Sequence, residues 1–309
     1  MLEPFRVERK GGFLGASASW EGCRWVLVGI PLDDTASFRP GTRFAPARIR
    51  EVSEGLEEYS LRLDRSLEEA GLHDLGDLRL VPGHTAGNLQ QIEACVAWLA
   101  EQEKRIAVVG GEHLLTYGVL RALAGFYPDL AVLHWDAHAD LRPEYLGSRL
   151  SHATTMHLVR DLGLSVYHLG IRSAAPEERA LVSSLMKGTE NGGQGGSRSN
   201  PGLHSQRGRL FAHRVAAPMA ELVAQLRNHP VYLTCDIDVL DPAFAPGTGC
   251  PEPGGVEPEE LFRAIGCLER VRLVGFDVVE VNPLVDVGDI TSLVAAKLIR
   301  ELLLVQAGV

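Results

Sequence analysis

Cysteine is scarce in this 309-residue chain: Cys23, Cys95, Cys235, Cys250 and Cys267 are scattered along it. An odd number without CxxC spacing argues against a disulfide framework or a zinc knuckle. It suits reduced thiols in a cytosol, so a cytoplasmic protein is expected. No apolar run reaches the ~20 residues that cross a bilayer, so no membrane partner is expected. The opening residues, Met1-Leu2-Glu3-Pro4, lack a basic stretch followed by an apolar one, which predicts no secretory or transit signal. Basic excess is missing too: 30 Lys and Arg face 40 Asp and Glu, for a net charge of -10. That balance, with no basic patch, argues against nucleic acid. It is compatible with steering of a cationic substrate and equally with solubility alone. The phosphate-binding patterns GxGxxG and GxxxxGK[ST] are absent.

What is present is ordinary globular composition, 45% hydrophobic and 23% charged. Short apolar runs at 25–30, 105–109, 130–135, 165–169, 231–235 and 273–279 read as strands. Amphipathic stretches at 46–59, 89–103, 115–123, 259–268 and 290–305 read as helices. This alternation predicts an α/β fold, a mostly parallel sheet covered by helices on both faces. Ligands of such sheets bind beyond the carboxyl ends of the strands. Residues 187–209 (KGTENGGQGGSRSNPGLHSQRGR) nearly lack apolar side chains and read as a flexible surface loop. Candidate site residues lie on both sides of it, so the reading is one domain, 1–309, with a loop inside it.

The run Trp135-Asp136-Ala137-His138-Ala139-Asp140 carries three metal-competent side chains at alternate positions just after a buried-strand pattern. Period two would put them on one face of an extended strand. Cys235-Asp236-Ile237-Asp238 repeats the device about a hundred residues later. Closely set carboxylates repel and resist ionising together unless cations are present. Two such strand ends could hold a pair of divalent ions, and this oxygen-rich set suits Mn²⁺ or Mg²⁺. Each aspartate alone would read as an ordinary turn residue. His113, in Gly110-Gly111-Glu112-His113, would alone be a helix-start hydrogen-bonder; beside the proposed site it becomes a sixth ligand candidate. Glu280 is either a strand-terminal acid or a carboxylate facing the ions, able to pair bidentately with a planar cation. His152 is a candidate proton shuttle, although His152 or His157 could be a solvated loop residue.

GGEH, DAHAD, CDIDVLDP and FDVVEVNP, in this order, resemble the ureohydrolases, the family of arginase and agmatinase. RPGTRFAPARIRE, DLRPEYLGSRLSHATTM, GTGCPEPGG and DITSLVAAKLIREL extend the likeness over nearly the whole chain, and agmatinase is the nearest member in pattern. The segment 187–209 is the departure, longer and richer in Gly and Ser. The resemblance implies an arginase-like three-layer αβα fold and a cofactor of two Mn²⁺ ions. His113, Asp136, Asp140 and Asp236 would hold one ion; Asp136, His138, Asp236 and Asp238 would hold the other. It implies that Glu280 orients a small cationic guanidino substrate, that Asp140 transfers a proton to the leaving amine, and that His152 shuttles protons or contacts the substrate. Water activated between the ions would split agmatine into putrescine and urea. Arginine, guanidinobutyrate and formiminoglutamate are the other family substrates. The 141–151 loop, with Arg142, Glu144, Tyr145 and Arg149, lacks the Asn- and Ser-rich character of arginases. A binding protein retaining the ions for stability, or a one-zinc deacetylase relative, are the remaining readings. The family further implies a homo-oligomer, a trimer or hexamer.

Overall fold

The computed structural model describes residues 5–8, 11–188 and 208–307. In chain order the strands are β1 (Val7–Glu8), β2 (Trp25–Ile30), β3 (Tyr59–Ser60), β4 (Arg65–Ser66), β5 (Leu72–Leu78), β6 (Arg105–Gly110), β7 (Ala131–Trp135), β8 (Ser165–Ile171), β9 (Gly208–Ala212), β10 (Pro230–Asp236) and β11 (Arg272–Val279). The helices are α1 (Ala45–Ser53), α2 (Thr85–Glu101), α3 (Leu115–Phe126), α4 (Thr155–Asp161), α5 (Arg179–Lys187), α6 (Ala216–Leu226), α7 (Pro258–Cys267) and α8 (Ile290–Val305). Nine strands form one sheet in the order β1-β5-β2-β6-β11-β10-β7-β8-β9, while β3 and β4 form a separate hairpin. Every pairing in the large sheet is parallel except β1 against β5.

Side chains alternate across a strand, so each strand feeds two cores. Trp25 and Leu27, Ala131 and Leu133, and Val231 and Leu233 pack with α1, α6, α7 and α8 on one face. Val26 and Val28, Val132, and Tyr232 pack with α2, α3, α4 and α5 on the other. Helix layers therefore sandwich the sheet, and strands buried on both sides read as continuous apolar runs. That is the expected αβα arrangement.

Several boundaries differ from expectation. α1 ends at Ser53, well short of residue 59, and the chain turns at Gly55 toward the β3–β4 hairpin. β5 was not anticipated, because Asp74 and Asp77 make LHDLGDL look like a loop. Both aspartates are buried against Arg50, whose Nε lies 2.7 Å from Asp74 Oδ2 and whose Nη1 lies 2.5 Å from Asp77 Oδ1. α4, α5, α6 and β9 were also not anticipated. In the segment expected to be a flexible loop, α5 runs to Lys187 and β9 starts at Gly208; residues 189–207 lie outside the described residues. β9 pairs with β8 from the other side of that segment, Val166 opposite Gly208.

Candidate metal centre

Four adjacent strands at the middle of the sheet, β6, β11, β10 and β7, run parallel and end together. Their carboxyl ends deliver, in that order, His113, Glu280, Asp236 with Asp238, and Asp136 with His138 and Asp140. Cys235 sits opposite Trp135 in the β10–β7 register, so Asp136 and Asp236 stand side by side. The turn after β6 is tight. Gly111 N–H donates to Ile30 O at 2.9 Å, and Glu112 N–H donates to Leu32 O at 2.8 Å. A Cβ on Gly111 would fall 1.9 Å from that Leu32 oxygen, so only glycine lets the chain pass close enough to aim His113 inward.

The six candidate ligands converge, but not by strand alternation. β7 stops at Trp135, and Asp140 adopts a left-handed backbone with φ 53°. β10 stops at Asp236, and Asp238 lies in the short 3-10 turn Ile237–Val239. The aspartates shape their own turns. Asp136 Oδ1 accepts from His138 N–H at 2.6 Å, and Asp236 Oδ1 accepts from Asp238 N–H at 2.9 Å. Each leaves Oδ2 for the centre. His113 Nδ1 lies 3.1 Å from Asp136 Oδ2, 3.2 Å from Asp140 Oδ2 and 3.5 Å from Asp236 Oδ2. On the other side, His138 Nδ1 lies 2.9 Å from Asp238 Oδ2 and 3.6 Å from Asp136 Oδ1.

Those spacings fit cations. Two donors each ~2.1 Å from one octahedral ion stand ~3.0 Å apart. His113 Nδ1 is buried with no hydrogen-bond partner although three carboxylates surround it. Among the described residues, His113, His134, Asp136 and Asp140 bring ligand atoms within 4.8 Å of one another, as do Asp136, His138 and Asp238. His134 is the weaker claimant to the first group. Its Nε2 faces Asp136 Oδ2 at 2.8 Å and its Nδ1 is engaged by His168 Nδ1 at 2.9 Å, so both nitrogens are occupied. Asp236 approaches the bare His113 Nδ1 and is the better fourth member.

Electrostatics show a site short of positive charge. Burial opposes protonation of His113, but the close carboxylates of Asp136, Asp140 and Asp236 outweigh it and raise its pKa well above the ordinary value. Burial likewise opposes protonation of His138, and the charge of Asp238 overcomes it. Burial, then the charges of Asp238 and Asp136, push Asp236 well up. Protons here stand in for cations, and metal binding would release them.

Glu280 and His152 border the same cavity, with Ser37, Phe38, Arg39, Gly249 and Cys250. Glu280 Oε1 accepts from His113 N–H at 2.7 Å, and burial pushes its carboxyl up to about 8. The imidazole of His152 is bracketed by hydroxyls, Thr35 Oγ1 at 3.4 Å from Nδ1 and Ser37 Oγ at 3.3 Å from Nε2. Burial lowers its pKa, against the pull of Asp140. The cavity continues past His138 and His152 to Arg142, Tyr145, Glu178 and Glu252. His157 points elsewhere, 3.9 Å from Asp161.

A profile of the Arginase family matches residues 23–189 and 206–305. The chain belongs to the Arginase family. The agmatinase of Bacillus cereus is 43% identical over 296 residues, 94% of this chain and 95% of that protein. The proclavaminate amidinohydrolase of Streptomyces clavuligerus is 35% identical over 285 residues, 90% of this chain and 86% of that protein. Among solved structures, the agmatine ureohydrolase of Thermoplasma volcanium aligns with a TM-score of 0.78 at 28% identity, over 98% of this chain and 95% of that one. The chain is accordingly a hydrolase acting on guanidino C–N bonds. The family match breaks at 190–205, inside the Gly- and Ser-rich segment that the sequence set apart.

Some supporting residues escaped the sequence reading of this Arginase-family site. His134 and His168 stand behind Asp136, while Thr234 lies 3.0 Å from His113 Nε2 and hydrogen-bonds Asp277. Arg172 Nη2 donates to the carbonyls of Asp238 and Glu252, at 2.6 and 2.5 Å, tying a ligand turn to the cavity rim. A signal existed for two of them. Thr234 precedes Asp236 by two residues on β10 and shares its face, and His134 stands two residues before Asp136 at the end of β7.

Proposed function

We propose that the protein hydrolyses agmatine to putrescine and urea, with two Mn²⁺ ions as cofactor. His113, Asp136, Asp140 and Asp236 would hold one ion, and Asp136, His138, Asp236 and Asp238 the other. The observation that carries this is the approach of Asp136, Asp140 and Asp236 to one bare imidazole nitrogen, within 3.1 to 3.5 Å, beside the second cluster at His138. The agmatinase relatives support the substrate.

When bound, such an ion pair lowers the pKa of water enough to make a nucleophile near neutral pH. The remaining work falls to side chains. A guanidinium is a poor electrophile because its charge is delocalised, so it must be held flat and its charge offset. Glu280 does this. Its Oε1 is fixed by His113 N–H, and a cation beside it draws its buried carboxyl into the ionised form. Asp140 takes the proton of the attacking water and returns it to the departing amine. His152, kept neutral by burial and held by Thr35 and Ser37, can take a proton at a ring nitrogen and pass it outward.

A second reading is a guanidino acid substrate. It is favoured by Arg142, which lines the outer cavity near Glu252 and could meet a carboxylate. Urea release from Mn²⁺-loaded protein with agmatine, arginine and 4-guanidinobutyrate side by side tests the choice. Agmatine is expected to turn over fastest; equal or faster turnover of arginine or guanidinobutyrate overturns it. The reading extends to one domain, 1–309, since strands from both sides of 189–207 share one sheet. It extends also to a cytoplasmic homo-oligomer, the location being supported by five cysteines without a disulfide. Among the described residues no helix is long and apolar enough to cross a membrane.

A further inference from the structure

We infer that Thr234 and Asp277 are positioning residues that hold His113 in the one tautomer and ring orientation leaving Nδ1 open to a metal ion. The inference rests on the two-ion reading above and concerns groups that touch neither substrate nor metal. Asp277 lies on β11, wholly buried, and three hydroxyls converge on it. Thr234 Oγ1 donates to Oδ1 at 2.6 Å; Tyr232 OH and Thr116 Oγ1 donate to Oδ2 at 2.8 and 2.9 Å. Burial raises the pKa of Asp277, whereas the three hydroxyls that donate to it favour its ionised form; that form only accepts, and a threonine hydroxyl has one proton. The proton of Thr234 therefore points at Asp277, leaving only lone pairs toward His113 Nε2 at 3.0 Å. That nitrogen must be the donor. A neutral His113 is then bare at Nδ1, the atom facing Asp136, Asp140 and Asp236.

The arrangement also accounts for Asp277 itself. Among the described residues no Lys or Arg pairs with it, and a buried carboxylate without a cation is costly. An amide of the same shape would avoid that cost. Such outer partners of a ligating imidazole fix its tautomer and raise its basicity, and their loss costs about 10- to 100-fold in metal affinity.

Manganese(II) chloride titrations of the full chain, read by the electron paramagnetic resonance of free ion, test this. Thr234→Val is expected to weaken one of the two ions by about 10- to 100-fold, and Thr234→Ser to restore wild-type binding. Asp277→Asn, which keeps the shape, is expected to weaken the same ion without lowering the thermal midpoint, and decides the matter should the valine variant not fold. In a His113→Ala background, Thr234→Val is expected to weaken binding no further, because it acts through that ring. Wild-type affinity in folded Thr234→Val or Asp277→Asn, or an undiminished effect in the His113→Ala background, overturns the positioning role alone. Unchanged affinity in His113→Ala itself overturns the ligand assignment, and the inference with it.

Discussion

Asp136 and Asp236 each divide their oxygens between two duties. One oxygen caps the turn that follows the strand, and the other faces the centre. The modest reading of a strand-end aspartate thus accounts for one oxygen and leaves the other for the proposed centre. Backbone strain gathers at the same place. Asp140 and Glu280 hold φ at 53° and 64°, a left-handed conformation that costs a non-glycine residue about 1 kcal/mol or more and is found where geometry matters more than stability. Asp140 is also the group proposed to move a proton. Asp140→Asn is expected to lower urea release by about 10²- to 10⁴-fold with unchanged far-ultraviolet circular dichroism. Wild-type turnover in that variant contradicts its assigned role.

At the scale of elements, the strand ends were legible and their exact shape was not. The α8 helix was read at its observed bounds, because its apolar residues recur at helical spacing over four turns. The DAHAD and DID spacings led to side chains that converge, though through an incomplete geometry. Alternation suggested an extended strand, whereas the chain breaks into turns after Trp135 and Asp236. The supporting shell was hidden for a different reason: nothing local in residues 234 and 277 says that they meet across neighbouring strands. β5 was hidden because its two aspartates look like loop residues until Arg50 is seen beneath them. Arg50 comes from α1 and is 1% exposed. Removing it leaves two carboxylates without a cation, Asp74 keeping only the backbone N–H groups of Phe13 and Gly76. Arg50→Ala is expected to cost about 3–5 kcal/mol in chemical denaturation; a loss under ~1 kcal/mol would show that water or a shifted loop satisfies Asp74 and Asp77 instead.

At the scale of the whole molecule, the fold gathers acid at one edge of a parallel sheet. Four central strands end side by side, the helix layers seal both faces, and the carboxylates left at the edge lack enough protein cations to balance them. The net charge of -10 adds a field of the same sign, which would steer a cationic guanidino compound toward the cavity and keep the site receptive to divalent ions. The central claim is that six side chains from β6, β7 and β10 and their following turns hold two such ions. Elemental analysis of protein loaded with manganese and freed of excess ion tests it most directly, with Asp136→Asn alongside. The expected result is two manganese ions per wild-type chain and fewer than two in the variant, because Asp136 serves both positions. One ion or none in the wild type, or two tightly held ions in Asp136→Asn, would contradict the account.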